Sequence, residues 1–72
     1  MIATGFGFSD EVSLLIQLLL EDTSPRVRSD AAITLGEIGN ARAVEALTQA
    51  LEDEIDFVRT AAEEALKKIQ GT

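Results

Sequence analysis

The sequence contains no cysteine and no histidine. Without thiols there is neither a disulfide framework nor a thiolate metal site, and nothing calls for an oxidising compartment. The missing imidazole removes the commonest general base and metal ligand. Tyrosine and tryptophan are absent as well, so the chemistry left is that of carboxylates, amines and hydroxyls. No pair of carboxylates sits among apolar residues where a raised pKa would suit acid–base work. Basic residues are scarce: six Lys and Arg stand against thirteen Asp and Glu, for a formal net charge of −7. A chain of that sign repels nucleic acid phosphates and anionic membrane, and no basic stripe offsets it. Long apolar runs are lacking too. The stretch Leu14–Leu20 is short, contains Gln17 and is flanked by acids, while Met1–Phe8 carries no basic side chain. Neither a membrane span nor a signal peptide is expected, and the cytoplasm is the expected compartment.

What is present is a repeat. Sliding the 72 residues along themselves by 31 positions lays Leu20-Glu21-Asp22 on Leu51-Glu52-Asp53, and Val27-Arg28 on Val58-Arg59. Ala31, Leu35 and Ile38 then fall on Ala62, Leu66 and Ile69. Within each copy the apolar positions step by four, four and three, which draws one stripe along a helix. A second helical pattern follows the first, with Val44, Leu47, Thr48 and Leu51 on one side and Arg42, Glu45, Ala46 and Gln49 on the other. One repeat is therefore two helices.

The punctuation agrees. Ser24-Pro25 is a capping hydroxyl followed by the chain's one proline at the first helical position, where its missing N–H costs nothing. Gly39-Asn40 ends that helix and caps the next, and Lys67 and Lys68 suit the negative end of the last one. The pattern predicts an all-α fold of about four antiparallel helices at residues 9–21, 25–38, 41–52 and 56–70. Residues 9–72 form a single domain of about two repeats offset by half, and residues 1–8 form an N-terminal segment that could cap it. A domain this small buries only about 60% of the surface its unfolded chain exposes.

Val27-Arg28-Ser29-Asp30-Ala31-Ala32-Ile33-Thr34-Leu35-Gly36-Glu37-Ile38-Gly39, followed by Arg42-Ala43-Val44-Glu45-Ala46-Leu47, closely resembles the short HEAT-like repeat named after the phycobilisome (PBS) lyases. The second copy departs from the pattern, with Lys67 where the first glycine belongs and Gln70 where the second does. The resemblance implies a right-handed α-α superhelix, a HEAT-like solenoid. Its bearers include bilin lyase subunits, many scaffold proteins and an iron-dependent hydroxylase that holds its metal through His-Glu pairs. With no histidine here, no metal and no cofactor are expected. DNA glycosylases built from related repeats need a cationic concave face, which a −7 chain lacks.

Registered on the repeat, the first helix corresponds to the second helix of a pair, so the order is second, first, second, first. Val12, Leu15, Ile16, Leu19 and Leu20 read as its core stripe. Leu14 and Leu18 lie elsewhere, at positions that are Glu45 and Gln49 one repeat later. Three readings of these leucines stay open: Ile2, Phe6 and Phe8 fold back over them, a partner covers them, or a longer array has been cut. Ile33, Ile55 and Phe57 are further apolar residues at positions where the family or the other copy is polar. The acids Glu21-Asp22 and Glu52-Asp53-Glu54 with Asp56 recur at one corner. They read as a ridge for a basic partner or a weak divalent-ion site or, more simply, as solvated loops favouring the following helix starts. Arg28 and Arg59, each six residues after an aspartate, read as ties between loop and helix. Gly36, inside a helix, points to close helix approach.

The expected function is non-enzymatic protein–protein interaction or assembly, with self-association as a homodimer foremost. Glu11, Leu14, Leu18, Arg42, Glu45, Ala46 and Gln49 are the expected contact residues, and neither nucleic acid, membrane nor small molecule is an expected partner. The alternative, implied by the resemblance alone, is an accessory subunit of a bilin lyase-like or phycobiliprotein-handling system.

Overall fold

The computed structural model describes residues 10–71, all helix and turn. Four α-helices follow one another: α1 (Glu11–Glu21), α2 (Pro25–Ile38), α3 (Val44–Ala50) and α4 (Asp56–Gln70). The helices lie in two rows. α2 packs most extensively on α4 and α1 touches α3, while α1 against α2 and α3 against α4 close the rows together. Equivalent helices of the 31-residue repeat thus stack on each other, as a solenoid requires.

Local chemistry sets the boundaries. The Val27 N–H donates to Ser24 Oγ at 3.4 Å, with Pro25 opening α2. Gly39 ends α2 at φ 76, a left-handed conformation that only glycine adopts without strain. Asn40 then accepts from the Arg42 N–H at 2.8 Å. The helix expected over 41–52 is divided: Ala41–Ala43 form a 3-10 turn, α-helix begins at Val44, and it stops at Ala50. Past that point the bonds tighten, with the Glu52 and Asp53 N–H groups reaching back three residues to Gln49 and Ala50. The acidic run Glu52-Asp53-Glu54 sits badly at the negative pole of a helix, which disfavours its continuation. The α1 start is Glu11 with Asp10 as cap. Ser9, expected to begin it, and residues 1–8, the candidate cap, lie outside the described residues.

The core is small-residued. Leu19, Leu35, Leu47 and Val58 are its large fully buried members, and Ala31, Ala32, Ala43, Ala46, Ala50, Ala61, Ala62 and Ala65 fill the rest. Alanine and glycine bring the backbones close. A Cβ on Gly36 would stand 2.8 Å from Ala65 Cα, so only glycine fits where α2 crosses α4. The matching position on α4 is Lys67, which is exposed, as are Thr60 and Glu63 at the positions of buried Ser29 and Ala32. The outer face of α4 is therefore polar and unsuited to another closely packed helix.

Several apolar residues read as core are not enclosed. Leu20 and Ile38 are 40% and 41% exposed, and Ile16 is half-buried, because no helix among the described residues packs on the outer side of α1 and α2. Thr48, read with the apolar side of its helix, is exposed, and its hydroxyl donates back to the Val44 carbonyl at 2.8 Å. Ile33 and Phe57 are exposed, and Ile33 borders a cleft of about 40 Å³ over Ala61 and Ala65.

Candidate protein-interaction face

Asp10 organises the start of α1. Its Oδ1 accepts from the Ser13 N–H at 2.8 Å, and the Arg42 guanidinium, reaching across from the turn before α3, donates to both carboxylate oxygens at 2.9 and 3.2 Å. The Arg42 hydrogen bond, followed by that from the Ser13 N–H, holds the Asp10 carboxyl down at about 2. Arg42 is raised in turn by the same contact. Arg42 is thus spent on joining α1 to α3. Sequence reasoning missed Asp10, although an aspartate immediately before an apolar helical stripe is an N-cap signal.

The other expected contact residues divide. Glu11, Glu45 and Gln49 are exposed, and Leu14 is 53% exposed. Leu18 is half-buried against the core. Ala46, expected on the presented face, is only 6% exposed and belongs to the core. On a short helix between two rows even the side that looks polar in sequence lends its small residue to packing. The leucine pair expected to form one surface is therefore a single exposed leucine.

The open apolar surface lies one position round the helix. Ser13, Ile16, Gln17, Leu20 and Glu21, spaced three and four apart, line a shallow groove of about 570 Å³ along α1. Thirty-one residues later the same positions are Val44, Leu47 and Leu51; Leu47 is fully buried where Ile16 is half-buried, and Leu51 is half-buried where Leu20 is 40% exposed. Among the described residues, α1 covers this stripe less completely than α3 does. Ile16 and Leu20 were legible as apolar, but not as uncovered.

A second groove, about 350 Å³ and polar, continues from the first through Leu20 and is lined by Asp22, Arg28, Glu52, Asp53 and Glu54. Its centre is an arginine fork between repeats. Arg28 Nε donates to Asp53 Oδ2 at 2.8 Å, Nη2 donates to Asp53 Oδ1 at 3.2 Å, and Nη1 donates to the Asp22 carbonyl at 2.8 Å. The tie expected between Arg28 and Asp22 is thus made to main chain, while the carboxylate comes from the next repeat. Both charged side chains are nearly covered, at 13% and 11% exposure. Burial pushes the Asp53 carboxyl up, but hydrogen bonds from Arg28 and from the Ile55 N–H outweigh it and hold it below the ordinary carboxylate range. Arg59 repeats half of the device, donating to the Asp53 carbonyl at 2.7 Å. Asp22 repeats the other half: its Oδ1 accepts the Ser24 N–H at 2.9 Å, as Asp53 accepts that of Ile55, but among the described residues no arginine reaches its carboxylate. Every arginine has a carboxylate partner: Arg26 with Asp30, Arg28 with Asp53, Arg42 with Asp10 and Arg59 with Asp56. The charge left uncompensated is negative.

No three carboxylates among the described residues are placed to hold a metal ion, and no described helix is long and apolar enough to cross a membrane. A profile of HEAT repeats matches residues 1–67. The chain belongs to the HEAT repeat family. No curated protein matches it. HEAT repeats commonly mediate protein–protein interaction and are in general non-enzymatic scaffolds. In this HEAT repeat chain the open edge of the stack is α1, and the polar edge is α4.

Proposed function

We propose that the chain is a non-catalytic protein-binding module that docks a helical segment of a partner protein along the outer face of α1. The observation that carries this is the repeat comparison: along the α1 groove Ile16 is half-buried and Leu20 is 40% exposed, where one repeat later Leu47 is fully buried and Leu51 half-buried. Leu14, Glu11, Glu45 and Gln49 add further exposed positions on α1 and α3, and Arg42 braces the start of α1 through Asp10. Contiguous apolar surface rimmed by polar residues is the usual mark of such a site.

The partner is basic. Each copy of the chain carries −7, and Glu21 and Asp22 edge the groove, so two copies meeting there bring like charge together. Self-association remains the second occupant that the same face could serve, and solution mass separates the two. The experiment measures mass by sedimentation over a range of concentrations, and binding of synthetic amphipathic helices with a leucine stripe and basic flanks, for wild type, Ile16→Glu and Leu20→Glu. Helicity is expected to be unchanged in Leu20→Glu, whose side chain already meets solvent, and somewhat less stable to heat in Ile16→Glu, whose side chain packs partly on the core; peptide binding is expected to fall at least about tenfold in both. A mass that doubles in wild type and not in the variants assigns the face to a second copy. If neither binding nor mass responds to the two substitutions, the face is wrongly chosen. The bilin-handling reading draws on the sequence resemblance alone, and an open-chain tetrapyrrole titrated into the chain without change in absorbance removes it.

A further inference from the structure

We infer that the partner docked on α1 carries an arginine whose guanidinium forks onto the Asp22 carboxylate, copying the Arg28–Asp53 fork inside the molecule. The inference rests on the docking face proposed above and names the group that recognises it.

The template is internal. Asp53 sits in a turn whose N–H, that of Ile55, occupies one side of Oδ1 at 2.9 Å, and the carboxylate turns its remaining lone pairs to Arg28. Asp22 is built the same way, with the Ser24 N–H at 2.9 Å. Its turn stands at the same register, and among the described residues no cation hydrogen-bonds its carboxylate, while Arg28, bound to the Asp22 carbonyl, lies within its field. The surroundings favour one. Glu21 adjoins Asp22, α1 has no basic residue in its last turn, and Glu52 and Glu54 line the same groove. A helix C-terminus without a basic residue is an unfilled site for positive charge. Leu20 lines both grooves, so a helix seated on Ile16 and Leu20 ends beside Asp22.

Arginine is specified over lysine. The Arg28 fork uses three separate N–H groups in one plane, two to a carboxylate and one to a main-chain carbonyl, and an ammonium cannot reproduce that plane. The chain's own N-terminal residues cannot supply the group, since Met1–Ser9 contain neither lysine nor arginine. A second copy stacked head to tail could offer Arg59, but only by laying its α4 on α2. That crossing admits no Cβ at Gly36 against Ala65, whereas the copy would bring Lys67 against Thr34. The occupant is a different protein with an arginine-ended amphipathic helix.

The test uses three synthetic helices with the same leucine stripe, ending in arginine, lysine or the neutral isostere citrulline, titrated into the full chain by calorimetry. Arginine is expected to bind tightest, and citrulline between about threefold and tenfold more weakly. Asp22→Asn keeps an oxygen for the Ser24 N–H and leaves the Arg28 contact to the main-chain carbonyl intact. In that variant the three peptides are expected to bind alike. Equal binding of the three peptides to wild type, or an arginine preference that survives Asp22→Asn, overturns the inference. If binding still depends on Ile16 and Leu20 in either case, the docking face stands and only the arginine is refuted. If it does not, both fall.

Discussion

Replacing Gly36 with alanine sets two effects of opposite sign against each other. In an open helix interior the change gains about 1 kcal/mol of helix propensity. Here the new Cβ would lie 2.8 Å from Ala65 Cα and 2.9 Å from its Cβ, where ordinary contact begins at 3.4 Å. The nearer atom is main chain and cannot rotate aside, so α2 and α4 must separate along the most extensive helix contact in the fold. Forcing an extra carbon into a packed site costs about 1–3 kcal/mol, which exceeds the propensity gain at all but the lowest end. A net loss of about 1 kcal/mol is expected, lowering the thermal midpoint by about 4–8 °C in a domain of this size. Far-UV circular dichroism during heating and in urea reads it. Two controls sharpen the result. Lys67→Ala, the same repeat position on the exposed face of α4, should change stability by no more than about 0.5 kcal/mol. Adding Ala65→Gly to Gly36→Ala removes the 2.9 Å contact and leaves the 2.8 Å one, so it should not restore wild-type stability. A Gly36→Ala variant that melts higher than wild type would refute the close crossing.

Leu47→Ala empties a fully buried site and should cost about 2–5 kcal/mol, a large share of the roughly 4–10 kcal/mol that a chain of this length commands; urea unfolding measures it. Ser24→Ala removes the α2 cap and should cost about 0.5–1 kcal/mol, at the low end because the capping bond is 3.4 Å long; the shift in urea midpoint decides. Ala46→Glu should unfold the chain and Gln49→Glu should not, since the first is core and the second surface; comparing their dichroism spectra separates a packing role for Ala46 from a contact role. The Asp10 carboxyl, held at about 2 when folded and ordinary when unfolded, contributes stability that is complete above about pH 4 and is lost as pH falls towards 2. Arg42→Gln should bring its titration, followed by carboxyl NMR shifts, back up towards 3.8.

The helix pair was legible where the sequence punctuates it. Ser24-Pro25, Gly39-Asn40 and the 31-residue echo placed α2 and α4 to the residue, because caps and repeats are local signals. The division of 41–52 was not legible, since Asn40 caps a 3-10 turn as well as an α-helix. Periodicity located Ile16 and Leu20 on an apolar stripe. It could not say whether a neighbour covers that stripe, which is a property of the stack and not of the helix. Ala46 failed for a related reason: alanine is equally at home on a surface and in a crossing, and only the α3–α4 approach decides. The Arg28–Asp53 fork joins residues 25 apart in sequence, and no local pattern announces it, although the echo of Asp22-x5-Arg28 in Asp53-x5-Arg59 held half of the answer.

The contrast between Ala61 and Ala65 on α4 and Asp30 and Thr34 on α2 makes this a molecule that can be lengthened from within. Appending helices after Gln70 meets the side chains of Thr60, Glu63 and Lys67. Duplicating Thr23–Asp53 in frame would instead insert one module between the existing repeats, adding one helix to each row. It needs Asp30 and Thr34 of the inserted copy changed to alanine, so that the glycine crossing finds the partner it has at Ala65. Each insertion would add one more arginine fork and one more interface while leaving both original ends unchanged. Stability should then rise with module number as a sum of neighbouring interfaces, giving a ruler of adjustable length with α1 always at its open end.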